Sequence, residues 1–162
     1  MKSILIIGMT GTGKTTEVKN VLKKFPERKK YIYDVNNEYS DSDLPTLVEF
    51  LEKAKQVRDS IIVFEEATIF FSNRGRSEQV IDLLVRKRHT NNIIVFVFHS
   101  IRSVPTYIFE MSDHVYLKRT NDTAARVKKS FDSDKLLEVF EVVEKNSKLD
   151  PYYTKKVKGS DL

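Results

Sequence analysis

A chain of 162 residues with 40% hydrophobic content can fill one buried core but hardly two, so a single domain is expected. It has no cysteine and three scattered histidines, which excludes disulfides and a thiolate or zinc-spaced metal site and is compatible with a reducing compartment. The net charge of +5 favours a polyanionic partner.

Taken in order, the apolar run Ile4-Leu5-Ile6-Ile7 predicts a buried strand over 3–7. It is too short for a signal segment or a membrane span, so a soluble, cytoplasmic protein is expected. Val18, Val21 and Leu22 share one face of a helix over 14–24, ended by Pro26. Between strand and helix stands Gly8-Met9-Thr10-Gly11-Thr12-Gly13-Lys14-Thr15, the G-x-x-x-x-G-K-[ST] spelling of a phosphate-binding P-loop. Glycines let backbone N–H groups converge on phosphate oxygens, and the helix N-terminus adds partial positive charge. The nucleotide-binding set is therefore Gly8, Thr10, Gly11, Thr12, Gly13, Lys14, Thr15 and Thr16. Lys14 would reach the β- and γ-phosphates and Thr15 would ligate Mg²⁺, which makes ATP and Mg²⁺ the implied cofactors.

A second short strand, Tyr31-Ile32-Tyr33, closes on Asp34. The stretch Asp34-Val35-Asn36-Asn37-Glu38-Tyr39 then lies at the ligand edge of a parallel sheet or is an ordinary polar turn; both readings stay open. Leu44, Leu47, Val48, Leu51 and Ala54 predict a helix from Asp43 to Arg58, with Ser42 or Asp43 as its cap and Pro45 in its first turn. Ile61-Ile62-Val63-Phe64 leads into the acidic pair Glu65-Glu66. In P-loop enzymes the first such acid holds Mg²⁺, and a second can polarise the attacking water. Glu65 takes the metal role and Glu66 the catalytic one; the extra methylene of Glu65 over aspartate favours a water-mediated metal contact.

Residues 67–76 read as a short helix or turn, then a basic loop, Asn73-Arg74-Gly75-Arg76. A helix from Ser77, its cap, to Arg88 carries Arg86-Lys87-Arg88 in its last turn. Those cations fit the helix dipole alone, an arginine finger given to a neighbouring subunit, or a DNA contact. Ile93 to Phe98 is continuously apolar, as in a central strand covered on both faces, and ends in His99. His99 either senses the γ-phosphate or satisfies local hydrogen bonds. A short helical segment to Met111 and a fifth strand over 113–117 follow. Ala124 to Ser130 suits strand or helix, and Asp134 to Glu144 is a helix by its apolar spacing. The end, 145–162, mixes tyrosines and lysines and reads as an edge strand with a basic tail, or as a nucleic-acid contact.

From about residue 3 to 120 these features resemble the FtsK–HerA superfamily of ring-forming, DNA-pumping ATPases, above all the small viral genome-packaging ATPases and phage Zot-like proteins. The P-loop and acidic pair are shared by many families. More discriminating is Asp34 to Tyr39, similar to the D-x-x-x-E-Y stretch of HerA-like proteins, and the order helix, Arg86-Lys87-Arg88-His89, buried strand, polar tip. His99 stands where glutamine is frequent, and Glu65 where aspartate is usual. The resemblance implies an α/β, three-layer P-loop NTPase with a RecA-like, mainly parallel sheet over 1–162. It implies ATP at a subunit interface, a homo-oligomeric ring on double-stranded DNA, hydrolysis coupled to strand movement, and a viral capsid or portal component as a possible partner, in the host cytoplasm. Catalysis would rest on Glu66, Lys14, His99 and a finger, Arg88 ahead of Arg86 with Arg74 and Arg102 behind. DNA-contact candidates are Arg74, Arg76, Lys118, Arg119 and Lys155-Lys156-Lys158. The alternatives are a small nucleotide or metabolite kinase and a Zot-like assembly protein.

Overall fold

The apolar runs become the strands of one sheet in the computed structural model, which describes residues 2–39 and 45–162. β1 (Lys2–Ile7), β2 (Lys29–Tyr33), β3 (Ser60–Phe64), β4 (Ile93–Phe98), β5 (His114–Leu117) and β6 (Lys155–Lys158) are ordered β2-β3-β4-β1-β5-β6. All neighbours pair in parallel except β6, which runs antiparallel to β5 as an edge strand. The helices are α1 (Lys14–Lys23), α2 (Leu47–Gln56), α3 (Ala67–Phe71), α4 (Arg74–Thr90), α5 (Thr106–Met111), α6 (Ala124–Ser130) and α7 (Asp134–Asn146). They cover both faces, giving the layered, mostly parallel sheet of a P-loop NTPase. None of them is long and apolar enough to cross a membrane.

Alternation along the strands divides the core in two. Ile4 and Ile6, Ile61 and Val63, and Val95 and Val97 pack beneath Val18, Val21 and Leu22 of α1. The intervening residues Leu5, Ile7, Phe64, Phe96 and Phe98 face the other layer. There Phe70 meets Phe64 edge-on at 4.8 Å between ring centres, and Phe71 stacks on Phe98 at 5.8 Å. These rings seat α3 directly after the acidic pair.

Helix starts differ from the sequence reading. α2 begins at Leu47, because Thr46 caps it in a capping box with Glu49, rather than at Asp43; Ser42, Asp43 and Leu44 lie outside the described residues. Asn73-Arg74-Gly75-Arg76 is not a loop but the start of α4. Asn73 is the cap, its side chain accepting from the Arg76 N–H at 3.2 Å, and Ser77, the expected cap, lies inside the helix. Asparagine outcompetes a serine four residues later because it meets the free N–H groups first. The ambiguous 124–130 stretch is a helix, capped by Thr123.

The chain's last turn packs closely on the β5 side. A Cβ added at Gly159 would lie 1.9 Å from the Ser112 carbonyl oxygen, which is backbone and cannot swing aside. Gly159→Ala should therefore lower unfolding free energy by about 1–3 kcal/mol in urea titrations. Wild-type stability in that variant would mean that this turn packs otherwise.

Candidate active site

Parallel strands deliver their carboxyl ends to one edge, where the chain places Gly8 to Thr15 after β1, Glu65-Glu66 after β3 and His99 after β4. The loop after β1 is pinned on both sides: Gly8 N–H donates to Phe98 O at 3.0 Å and Met9 N–H to Arg119 O at 2.8 Å. Gly11 and Gly13 adopt φ of +82° and +84°, where a side chain is strained. Gly8 is needed for space instead, since a Cβ there would come 2.7 Å from Thr12 Oγ1. Thr12 Oγ1 and Lys14 Nζ donate to Met9 O at 2.8 and 3.0 Å, closing the wrap.

Lys14 is buried, and burial lowers its pKa while Glu65, Glu66 and Glu38 pull it back up. Its Nζ lies 3.4 Å from His99 Nδ1, and His99 Nε2 lies 2.9 Å from Glu66 Oε1. One imidazole thus joins the P-loop ammonium to the acid expected to activate water. Glu65 is 4% exposed and accepts from Tyr39 Oη at 2.9 Å. Burial pushes its pKa up to about 7, against the Tyr39 hydrogen bond and with the help of Glu38.

The Asp34 to Tyr39 stretch is both a turn and part of the site. Buried Asp34 accepts from the N–H groups of Glu38 and Tyr39, each at 2.8 Å, and so folds the loop. The folded loop puts Glu38 on the Thr15 hydroxyl and Tyr39 on Glu65. Sequence reading marked the stretch but gave Glu38 and Tyr39 no task, and it placed Tyr152 in an edge strand or nucleic-acid contact and not beside the P-loop. A cavity of about 330 Å³ is walled by Thr10, Gly11, Gly13, Lys14, Thr15, Asn36, Glu38, Glu65, Glu66, His99 and Tyr152. Gly8 and Thr12 underpin that wall, and Thr16 faces a hollow next to it.

Other expected residues lie elsewhere. α4 ends beside the start of β4, so Arg86 and Arg88 sit at the opposite edge of the sheet. There Arg86 pairs with Asp82 at 3.3 Å and Arg88 borders a hollow with Lys2 and Glu110. Neither reaches the chain's own P-loop. Lys87 between them is a staple, donating to Ser3 Oγ at 2.7 Å and Asp113 Oδ2 at 2.9 Å. Lys118, expected among the DNA contacts, is buried; it donates to Thr154 Oγ1 at 2.6 Å and Tyr152 O at 3.2 Å. It is removed from the DNA-contact set.

The family model described as the ATPase family associated with various cellular activities (AAA) matches residues 4–119. Among solved structures, the genome packaging NTPase B204 from Sulfolobus turreted icosahedral virus 2, in complex with ATP-gammaS, superposes with a TM-score of 0.72 at 17% identity, covering 99% of this chain and 94% of that one. Its AMPPCP complex gives 0.72 at 16%, with coverage of 99% and 94%. The DNA-packaging ATPase B204 from Sulfolobus turreted icosahedral virus gives 0.70 at 17%, again covering 99% and 94%. At such identities the likeness is one of fold. A search of curated protein sequences gives no match.

Between pH 4.5 and about 7 the folded chain keeps a proton on Glu65 that the unfolded chain has released. Stability of the nucleotide-free protein in EDTA should therefore fall as pH rises through that window, by up to about 1.4 kcal/mol per unit. Glu65→Gln should flatten this slope in urea unfolding; an unchanged slope would place the titrating group elsewhere.

Proposed function

The chain belongs to the AAA family of ATPases, and on that premise we propose that it is the ATP-hydrolysing subunit of a DNA-translocating motor of the viral genome-packaging kind. The observation that carries this reading is the single edge where the P-loop, Lys14, Glu66 and His99 meet, on a fold shared over 99% of the chain with a viral packaging NTPase. The D-x-x-x-E-Y loop, built into that edge through Glu38 and Tyr39, supports the finer FtsK–HerA assignment.

In this reading the backbone N–H groups of the P-loop and the N-terminus of α1 take the phosphates. Lys14 exchanges Met9 O for β- and γ-phosphate oxygens. Thr15 and Glu65 would hold Mg²⁺, with Glu38 next to them, and the ion would neutralise phosphate charge. Their hydroxyl and carboxylate oxygens suit a hard cation, and among the described residues no set of three or more acidic, histidine or cysteine ligands forms a cage. That pattern fits Mg²⁺, which takes one or two carboxylates and completes its shell with water and substrate phosphate. Glu66 accepts a proton from water as the water oxygen bonds to the γ-phosphorus and the bond to the β–γ bridging oxygen breaks. His99, held between Glu66 and Lys14, orients the base against the group that feels the γ-phosphate.

A ring of such subunits on double-stranded DNA, docked to a capsid or portal component, would use an arginine from the neighbour. Arg88 and then Arg86, at the edge of the sheet away from the chain's own phosphates, are the leading candidates, with Arg74, at the start of α4, and Arg102, just beyond His99, in reserve on the phosphate side. Arg74 keeps 93% of its side chain exposed. Of the expected DNA contacts, Arg119, Lys156 and Lys158 are exposed, Lys156 also pairing with Glu17 at 3.4 Å.

Glu66→Gln should still bind Mg·ATP but hydrolyse it more slowly, by a factor on the order of 10²–10⁴. Lost binding in place of lost turnover would move the metal role onto Glu66. Double-stranded DNA should stimulate the ATPase of the assembled protein. Its affinity should fall with salt at a log–log slope of about −0.9 per neutralised phosphate. No DNA binding at low salt with a non-hydrolysable analogue, or stimulation by an acceptor nucleotide in place of DNA, would overturn the motor reading in favour of a kinase.

A further inference from the structure

Tyr152 is a large aromatic side chain that is 64% exposed yet mounted on rigidly held backbone. Its carbonyl oxygen accepts from the buried Lys118 ammonium at 3.2 Å, and its N–H donates to Asp150 Oδ1 at 2.9 Å. Two residues on, Thr154 takes a second bond from Lys118, and β6 then locks the segment to β5. The ring lies against the P-loop: a Cβ added at Gly13 would come 3.4 Å from Tyr152 Cδ1.

Two hollows meet at this ring. The phosphate cavity of about 330 Å³ lies on one side, and a hollow of about 320 Å³ lined by Gly13, Thr16, Glu17, Lys118 and Tyr152 lies on the other. Among the described residues they share Gly13 and Tyr152. Phosphates wrapped by the P-loop are bounded on the inner side by Glu65, Glu66 and His99, so a nucleoside attached to them leaves past Gly13 and Thr16, into the second hollow. Of the polar groups there, Glu17 is paired with Lys118 at 3.7 Å and with Lys156 at 3.4 Å, although its Oε2 accepts no hydrogen bond, and Thr16 is exposed. The aromatic face exposed there is the phenol ring of Tyr152.

We propose that Tyr152 and this second hollow form the nucleobase site, in which the base of the bound nucleotide stacks on the Tyr152 ring. A fixed aromatic presents a stacking face at little entropic cost, and a base lying on it is shielded from water on one side. The proposal rests on the nucleotide site and not on the DNA-motor reading, so loss of the latter leaves it standing.

Calorimetric titration of Mg·ATP and of Mg·tripolyphosphate, which has the phosphates without the base, separates the two hollows. Tyr152→Ala should weaken ATP roughly 5- to 150-fold, the span that stacking on one aromatic supplies. It should leave tripolyphosphate affinity unchanged, and Tyr152→Phe should bind ATP like wild type. The chain has no tryptophan, so tyrosine emission is observable, and ATP should quench it in wild type more than in Tyr152→Ala. Lys14→Ala should weaken both ligands. Unchanged ATP affinity in Tyr152→Ala, or equal weakening of ATP and tripolyphosphate, overturns the base site while the P-loop assignment survives. If Lys14→Ala weakens neither ligand, the P-loop assignment falls and the base site with it.

Discussion

Ile7 stands opposite Phe98 and Phe64 opposite Phe96 in the parallel ladder, and strands that run together release their next residues on the same side. That register brings a phosphate loop, two carboxylates and an imidazole together from segments far apart in the chain. A one-residue slip of β4 would turn its buried faces round and carry His99 away from Lys14 and Glu66. The hydrophobic sorting of β1, β3 and β4 into two cores resists such a slip. Burial of the sheet and placement of the site are therefore the same energetic fact.

The electrostatics of that edge run against the charge of the whole molecule. The chain carries +5, but Glu38, Glu65 and Glu66 gather around the buried ammonium of Lys14. A bare polyanion meets local repulsion there, whereas a phosphate chain neutralised by a divalent cation does not. The positive excess lies on outer surfaces, where it acts at longer range and is weakened by salt.

Much of this was legible in the sequence because it is local. The P-loop is spelled out in consecutive residues, and β1, β3 and β4 are buried on both faces, which removes polar alternation and leaves plain apolar runs. What escaped reading depends on partners distant in sequence. Tyr39 reaches Glu65 and Glu38 reaches Thr15 only after Asp34 has folded the intervening turn. Lys87 and Lys118 look like solvated cations until Ser3, Asp113 and Thr154 arrive from the other side of the fold. Helix starts were misread where several capping residues compete, as at Asn73 and Ser77, since composition does not say which meets the free N–H groups first. Tyr152 read as one ring of a basic edge segment or nucleic-acid contact, and only the fold, with β6 antiparallel to β5, lays it on the P-loop.

The pairing of β1 with β4 has a bearing on how the protein is made. About 85 residues lie between the two strands, and Arg119, which stands just beyond β5 and anchors Met9, comes later still. A ribosome emitting the chain from its N-terminus releases the glycine loop early, but both of its backbone anchors only after β4 and β5 have left the exit tunnel. Until then only bonds within the loop, from Thr12 and Lys14 to Met9 O, hold its left-handed glycines in place. Nucleotide accordingly has no folded cradle to bind on a nascent chain, and ligand-driven stabilisation begins only when synthesis of the central strands is complete.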